Sequence, residues 1–372
     1  MIEIKHQKLN LPDHYRCIVI SDVHSHLDRL IQLLKEVDYT RNDYLIINGD
    51  FVEKGTQTLQ TIDYLKRLSQ ENDKVYLLLG NCEYAIETLV NDDRYANQMI
   101  HYLHKIGKSG MIDQVVTKLK IDLKNEEPVK IQQLVRQSLK SYIDYLQTLP
   151  TTLETQDFLF VHAGIEKRQD WQYSSRSSFT EMRNFQKEGH LLNKYVIVGH
   201  LPTSNFYSNQ INNDIMIDKN KKIISIDGGT GVKFISQLNA LIIEGHHRHY
   251  HFTHHAVQPL PEYKVVDTYL QNNQRDYKVA WPHFEVIILE AGEDFSLCLQ
   301  IDTKNQFSIK NEFLYHKNHK TYCLDDYTNH FVSVQKGNLV KLIGIYGHYA
   351  YIIKNKEVGW IPAHIIKKSN ER

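Results

Sequence analysis

Short, almost purely apolar runs alternate with stretches of helical periodicity over the first third of the chain. Cys17–Ile20, Tyr44–Ile47 and Val75–Leu79 are apolar runs of strand length. Between them Leu27, Leu30, Ile31, Leu33, Leu34 and Val37 recur at helical spacing, and Leu59–Leu68 reads as a second helix. Strands apolar throughout and separated by helices predict parallel βαβ units covered on both faces. In such sheets ligands gather beyond the carboxyl ends of the strands. A mostly helical insert is expected over about 85–150, where Ile131, Leu134, Val135, Leu139, Tyr142, Ile143 and Leu146 form one amphipathic face and Pro150 closes it. Strands resume at Phe158–Val161, Tyr195–Val198, Ile223–Ile226 and Leu238–Ile243.

After Gly245 the pattern changes. A histidine-rich stretch (His246, His247, His249, His251, His254, His255) leads to Pro259 and Pro261, followed by the alternating runs Phe284–Leu289, Phe295–Ile301 and Phe307–Phe313. A boundary near 250 therefore divides an α/β domain (1–250) from a β-rich extension (251–320) and a last strand-rich segment (321–372). Alternation would put the imidazoles of His247, His249 and His251 on one strand face. That stretch reads as a solvated strand or loop, with a metal tract as the alternative.

Composition narrows the classes. The 372 residues are 41% apolar and 24% charged, ordinary for a globular chain. The 44 basic and 44 acidic side chains cancel, so no global field draws nucleic acid or an anionic membrane. No apolar run nears the roughly 20 residues of a membrane span. No secretory h-region is seen at the start, and Cys17, Cys82, Cys298 and Cys323 form no CxxC pair, which leads to the expectation of a reducing, cytoplasmic setting.

The chemistry-bearing residues stand just after the strands. Asp22 and His24 follow the first, Asp50 the second, Asn81 the third, and His162 and His200 the next two. Two carboxylates, three imidazoles and an amide oxygen suit a pair of borderline divalent metals, whereas all-oxygen ligation would suit Mg or Ca. A carboxylate shared by ions about 3.5–4 Å apart would let a bridging hydroxide attack phosphorus in line.

The series Ser21-Asp-Val-His-Ser-His26, Gly49-Asp-Phe-Val-Glu-Lys-Gly55, Gly80-Asn-Cys-Glu83, His162-Ala-Gly164 and Gly199-His-Leu-Pro-Thr203 resembles the calcineurin-like metallophosphoesterases, within them the phosphoprotein-phosphatase branch and its bacterial relatives. The resemblance spans roughly residues 15–245. It implies a four-layer αββα sandwich, with Asp22 and His24 on one metal, Asp50 bridging, and Asn81, His162 and His200 on the other. Manganese is the first expectation for the two ions, with iron, zinc and nickel as alternatives. The implied activity is phosphate-ester hydrolysis by metal-bound hydroxide on a phosphorylated protein. A dinucleoside polyphosphate or a phosphodiester is the alternative, and a weakly active metal-loaded scaffold the reading of another class.

Lys54 and Arg183 are candidate phosphate binders beside Asn81. Lys54 stands where the branch usually has Arg, and lacks its planar fork. Arg183 resembles the Arg-x-x-Phe of bacterial members, with a spacing one residue shorter. The departure that matters is Cys82, where the family usually has a His that protonates the leaving group, oriented by an acid matching Glu53. A thiol has a reference pKa of about 8.5 against about 6.5 for His, and general acid catalysis is worth about 10²–10⁴-fold. His26 is a candidate to take over that role. Asp227, before Gly228 and Gly229, matches a segment that is structural in relatives. The last stretch, about Tyr322 to Lys368, resembles a bacterial SH3-like barrel. That implies a peptide as a candidate partner, with Tyr346, Tyr349, Tyr351 and Trp360 expected to fill its core and a nucleic-acid surface as the weaker reading.

Overall fold

The computed structural model describes residues 2–106, 109–207, 210–247, 249–271 and 276–369. The chain divides into two compact units. Unit 1 comprises residues 1–202, 214–232 and 237–257; unit 2 comprises 203–213, 233–236 and 258–372.

Unit 1 is built on two sheets. The first contains β2 (His14–Ile20), β3 (Tyr44–Asn48), β4 (Val75–Leu78), β10 (Leu238–His246) and β11 (His249–Val257), in the order β11–β10–β2–β3–β4. The second contains β1 (His6–Lys8), β5 (Thr152–Glu154), β6 (Phe158–Val161), β7 (Tyr195–Val198), β8 (Met216–Asp218) and β9 (Ile223–Ser225), in the order β1–β5–β6–β7–β9–β8. β2, β3 and β4 are mutually parallel, as are β6, β7 and β9.

The apolar runs explain the layering. Along β2, Cys17 and Val19 enter a core shared with Phe158, Phe160, Ile197 and Ile224 of the other sheet. Ile18 and Ile20 point the opposite way, into a core with the helices α1 (Leu27–Glu36) and α2 (Thr58–Glu71). A strand with both faces buried cannot alternate apolar with polar, hence the unbroken runs. The outer face of the second sheet is covered by α7 (Arg176–Glu181) and α8 (Phe185–Glu188), through Phe179 and Phe185. The result is the αββα sandwich expected from the sequence. The helical insert consists of α3 (Asn81–Asn91), α4 (Ala96–Ile106), α5 (Met111–Leu119) and α6 (Pro128–Leu146), beginning at Asn81 itself. Proline at the first position of α6 is pre-set for a helix start.

Unit 2 is β-rich. A five-stranded antiparallel sheet carries Glu357–Pro362, Tyr349–Lys354, Leu339–Tyr346, Glu262–Val265 and Ile366–Lys368 in that order. Two segments before residue 250, 203–213 and 233–236, belong to unit 2. The last segment of unit 1 ends at Val257, where β11 completes its pairing with β10. Within unit 2, Glu262–Val265 pairs with strands that lie beyond position 321 in sequence. The last three residues of the expected barrel segment, 370–372, lie outside the described residues. Tyr351 and Trp360 are fully buried and stack at 4.4 Å, while Tyr346 and Tyr349 pack half-buried against the same core. Tyr351 and Trp360 thus fill a core, with Tyr346 and Tyr349 at its edge. Among the described residues no helix is long and apolar enough to cross a membrane.

One buried amide joins the two sheets of unit 1. Asn48 Nδ2, at the end of β3, donates to the carbonyls of Val161 (3.0 Å) and Ile197 (3.2 Å), the first ending β6 and the second in β7. Asn48→Ala strands both carbonyls, and should lower the unfolding free energy by about 2–3 kcal/mol in urea denaturation. An unchanged midpoint would show that this link contributes nothing.

Candidate active site

The two groups of parallel strands end at the same edge of the sandwich, and each delivers a side chain there. Asp22 and His24 follow β2, Asp50 follows β3, Asn81 follows β4 and opens α3, His162 follows β6, and His200 follows β7. The turns that carry them are left-handed. Asp22, His24, Ser25, Asp50, Glu53, Lys54 and His200 all have φ between 46° and 68°. Gly199 and Gly80 are required by close approach: a Cβ on Gly199 would lie 2.2 Å from Asp22 Oδ2, and one on Gly80 would lie 2.2 Å from Asp50 Oδ1.

The six residues converge. His24 Nε2 lies 3.7 Å from Asp22 Oδ1 and 3.8 Å from Asp50 Oδ2, and His162 Nε2 lies 3.5 Å from Asp50 Oδ1. Asn81 Oδ1 is 3.2 Å from His162 Nε2 and 2.9 Å from His200 Nδ1. Asp22, His24, Asp50 and His162 are buried, and Asn81 and His200 are partly so. The second coordination layer fixes the tautomers. His24 Nδ1 donates to Val52 O at 3.3 Å and His162 Nδ1 donates to Asn48 O at 3.1 Å, so in each ring Nε2 presents a lone pair to the carboxylates. Burial, helped by Lys54 for His24 and by His162 for His200, pushes both imidazoles down to about 3, which keeps them neutral donors.

Burial and then the Asp50 charge push Asp22 up to about 7. Burial also acts against the charge of Asp50, but His162, His24 and Lys54 outweigh it and hold that carboxyl below the usual range. Lone pairs and carboxylates facing one another in a buried pocket repel unless a cation lies between them. This donor set fits divalent metals of the borderline class. Asp50 is the residue that faces both halves of the set, and two overlapping groups of closely spaced potential ligands, Asp22/Asp50/His162 and His24/Asp50/Cys82, share it. Asn81 is best oriented for metal with its Oδ1 toward the histidines. With the amide turned over, Nδ2 donates to the same two rings and to Thr180 O.

The remaining candidates fall in different places. Lys54 Nζ is 3.1 Å from His24 Nε2, so an ammonium sits against a predicted metal-ligand atom. Cys82 N–H donates to Asp50 Oδ1 at 2.8 Å, and its thiol donates to Asp50 Oδ2 at 3.1 Å. Burial, reinforced by the Asp50 charge, pushes that thiol well above its ordinary value. Glu53 turns toward the insert, accepting from Tyr102 Oη and, at 2.7 Å, from Met111 N–H. Among the described contacts it makes none with Cys82. His26 Nδ1 donates to His24 O at 2.7 Å. Arg183 is exposed in the bend between α7 and α8. Asp227 is buried; its Oδ1 accepts from Gly229 N–H at 2.7 Å, and burial followed by the nearby Asp22 charge raises it well above the carboxylate range.

Two supporting residues escaped the sequence reading. Ser21 Oγ donates to Asp22 Oδ2 and to Asn48 O. Glu83 is wholly buried and accepts from four backbone N–H groups: Asp50 (3.0 Å), Phe51 (2.9 Å), Val52 (3.2 Å) and Gly80 (2.7 Å). It thereby fixes the loop bearing Asp50. The signal was present, since an acid at the third position of a helix folding back on the residue before it is the capping-box pattern.

The chain belongs to the calcineurin-like phosphoesterase family, whose profile matches residues 15–351. It is similar to proteins named bis(5'-nucleosyl)-tetraphosphatase, symmetrical. One from Enterobacter sp. (strain 638) is 44% identical over 64 residues, 17% of this chain and 22% of that protein. Another from Vibrio campbellii is 27% identical over 148 residues, 40% of this chain and 44% of that protein. The chain thus spans less than half the length of these curated relatives. Among solved structures, a serine/threonine protein phosphatase from Saccharomyces cerevisiae aligns with a TM-score of 0.41 at 12% identity, covering 69% of this chain and 84% of that one.

Glu83→Gln leaves one acceptor oxygen where two now serve four donors. By loosening the Asp50 loop it should lower metal affinity or activity by about 10–100-fold. Calorimetric Mn titration and aryl phosphate turnover measure this; unchanged values in both would remove Glu83 from the supporting set.

Proposed function

We propose that the chain is a two-metal phosphohydrolase whose preferred substrates have good leaving groups, with nucleoside polyphosphates as the class that fits best. The observation that carries the two-metal reading is the gathering of Asp22, His24, Asn81, His162 and His200 about Asp50, with the Nε2 atoms of His24 and His162 3.8 and 3.5 Å from its two carboxylate oxygens. Asp22 and His24 would hold one ion, Asn81, His162 and His200 the other, and Asp50 both. When bound, such ions polarise phosphoryl oxygens and lower the pKa of water.

The substrate class rests on what Cys82 can do. Its proton is held on sulfur by burial and is directed at Asp50. It is a poor source of a proton for a departing oxygen. A nucleotide leaves as a phosphate oxyanion, whose conjugate acid has a pKa of about 6, so it departs at neutral pH without being protonated. A serine side chain leaves as an alkoxide, nearly as basic as hydroxide, and needs that proton. The relatives named as tetraphosphatases support the same choice. Lys54, beside His24, supplies a positive charge for the phosphoryl group, as a point charge without the fork of an arginine.

The test is a direct comparison with Mn present. Nucleotide release from a dinucleoside tetraphosphate should exceed phosphate release from a phosphoserine peptide by at least about 10²-fold, and Asp50→Asn should abolish both. Cys82→His should raise the phosphopeptide rate more than the polyphosphate rate. Equal wild-type rates on the two substrates, with an equal response to Cys82→His, would overturn the leaving-group argument. Loss of neither rate in Asp50→Asn would overturn the metal site itself.

A further inference from the structure

We infer that unit 1 carries another transition-metal site, built by His14, His246 and His247 at the end of the first sheet remote from the catalytic edge. His14 opens β2 and faces His246, the last residue of β10, in the antiparallel register. His246 in turn faces His249, the first residue of β11. His247 sits in the turn between those strands, with φ at 45°. Its N–H donates to the carbonyl of Asp13 at 2.9 Å, and its Nδ1 lies 3.5 Å from Asp13 Oδ2.

The three rings meet edge to face. Their centroids are 4.2 Å apart for His14–His246, 4.8 Å for His14–His247 and 4.8 Å for His246–His247. One ring nitrogen from each lies within 4.8 Å of the others. All three side chains are exposed, so burial of apolar surface does not account for the cluster. Their backbones are fixed by two paired strands and a turn tied to Asp13. A chelating ion would therefore order little that is not already ordered.

Imidazole nitrogens select zinc, copper, nickel or cobalt over magnesium or calcium. Asp13 stands where a carboxylate orients a ligating histidine. His14 and Asp22 lie at opposite ends of β2. The six residue steps of extended strand from His14 to Ile20 alone span roughly 20 Å, so this site is distinct from the catalytic one. The register also shows why alternation along the histidine-rich stretch pointed elsewhere. The third imidazole comes from β2, more than two hundred positions away in sequence.

The probe is zinc alone, equilibrated by dialysis with the untagged full-length protein and counted by elemental analysis. The paired variant His14→Ala/His246→Ala should bind one zinc equivalent fewer than the wild type, with aryl phosphate hydrolysis unchanged. The control His251→Ala/His255→Ala, in the same histidine-rich stretch, should lose none. His247→Gln lies in the turn, outside the strand ladder; with Cu²⁺ as probe its EPR spectrum should differ from the wild type's by the nitrogen hyperfine coupling of one imidazole, since copper held by His24, His162 and His200 contributes equally to both. Equal zinc counts in the wild type and the paired variant, or the same loss in the control, would overturn the proposal. So would an unchanged copper spectrum in His247→Gln.

Discussion

Electrostatic repulsion at a buried point is the constraint on which unit 1 turns. Asp22 and Asp50 are removed from water within reach of each other, and the Nε2 atoms of His24 and His162 face them. Burying a carboxylate is costly unless it is paired or hydrogen-bonded. The protein offsets part of that cost with backbone donors. Asp50 accepts from Cys82 N–H, and Asp22 from the His200 N–H. Lys54 adds an ammonium against His24. The donor atoms left facing one another are of the kind that suits a divalent cation. The turns and the buried Glu83 carboxylate hold that arrangement in place.

Such an arrangement demands that strands from two sheets end together. Asn48 meets that demand from the first sheet by holding two carbonyls of the second, and Ser21 ties Asp22 to the carbonyl of the same Asn48. Glu83 completes the frame by gathering the Asp50 loop onto the first turn of α3. Glu53 carries the connection outward, since both its oxygens are taken by the insert. The loop after Asp50 therefore faces two ways, one end set by the strands and the other by α4 and α5.

Much of this was legible in the sequence. Apolar runs buried on both faces are visible as runs, and the chemical residues follow them directly, so the layers and the six residues that converge could be read by position. What could not be read was direction. Sequence spacing does not say that Glu53 turns to Tyr102 and not to Cys82, or that the Cys82 thiol points at Asp50. It does not place Lys54 against His24 either. Long-range pairing was equally hidden. The strand Glu262–Val265 is short and gives no sign that it belongs with strands seventy or more residues later. The buried Trp360 and Tyr351 were foreseeable because a small β unit has few other groups large enough to fill its core.

The left-handed turns have a further implication for how such a protein tolerates change. A side chain other than glycine in that conformation costs roughly 1–2 kcal/mol, and seven of them cluster around the donors. Stability has been ceded there to hold particular atoms in place. A library screened only for resistance to heat would accumulate relief at these turns, with glycine as the simplest route. Such a selection would erase the chemistry while leaving the sandwich intact, so thermal robustness and catalytic competence pull these few positions in opposite directions.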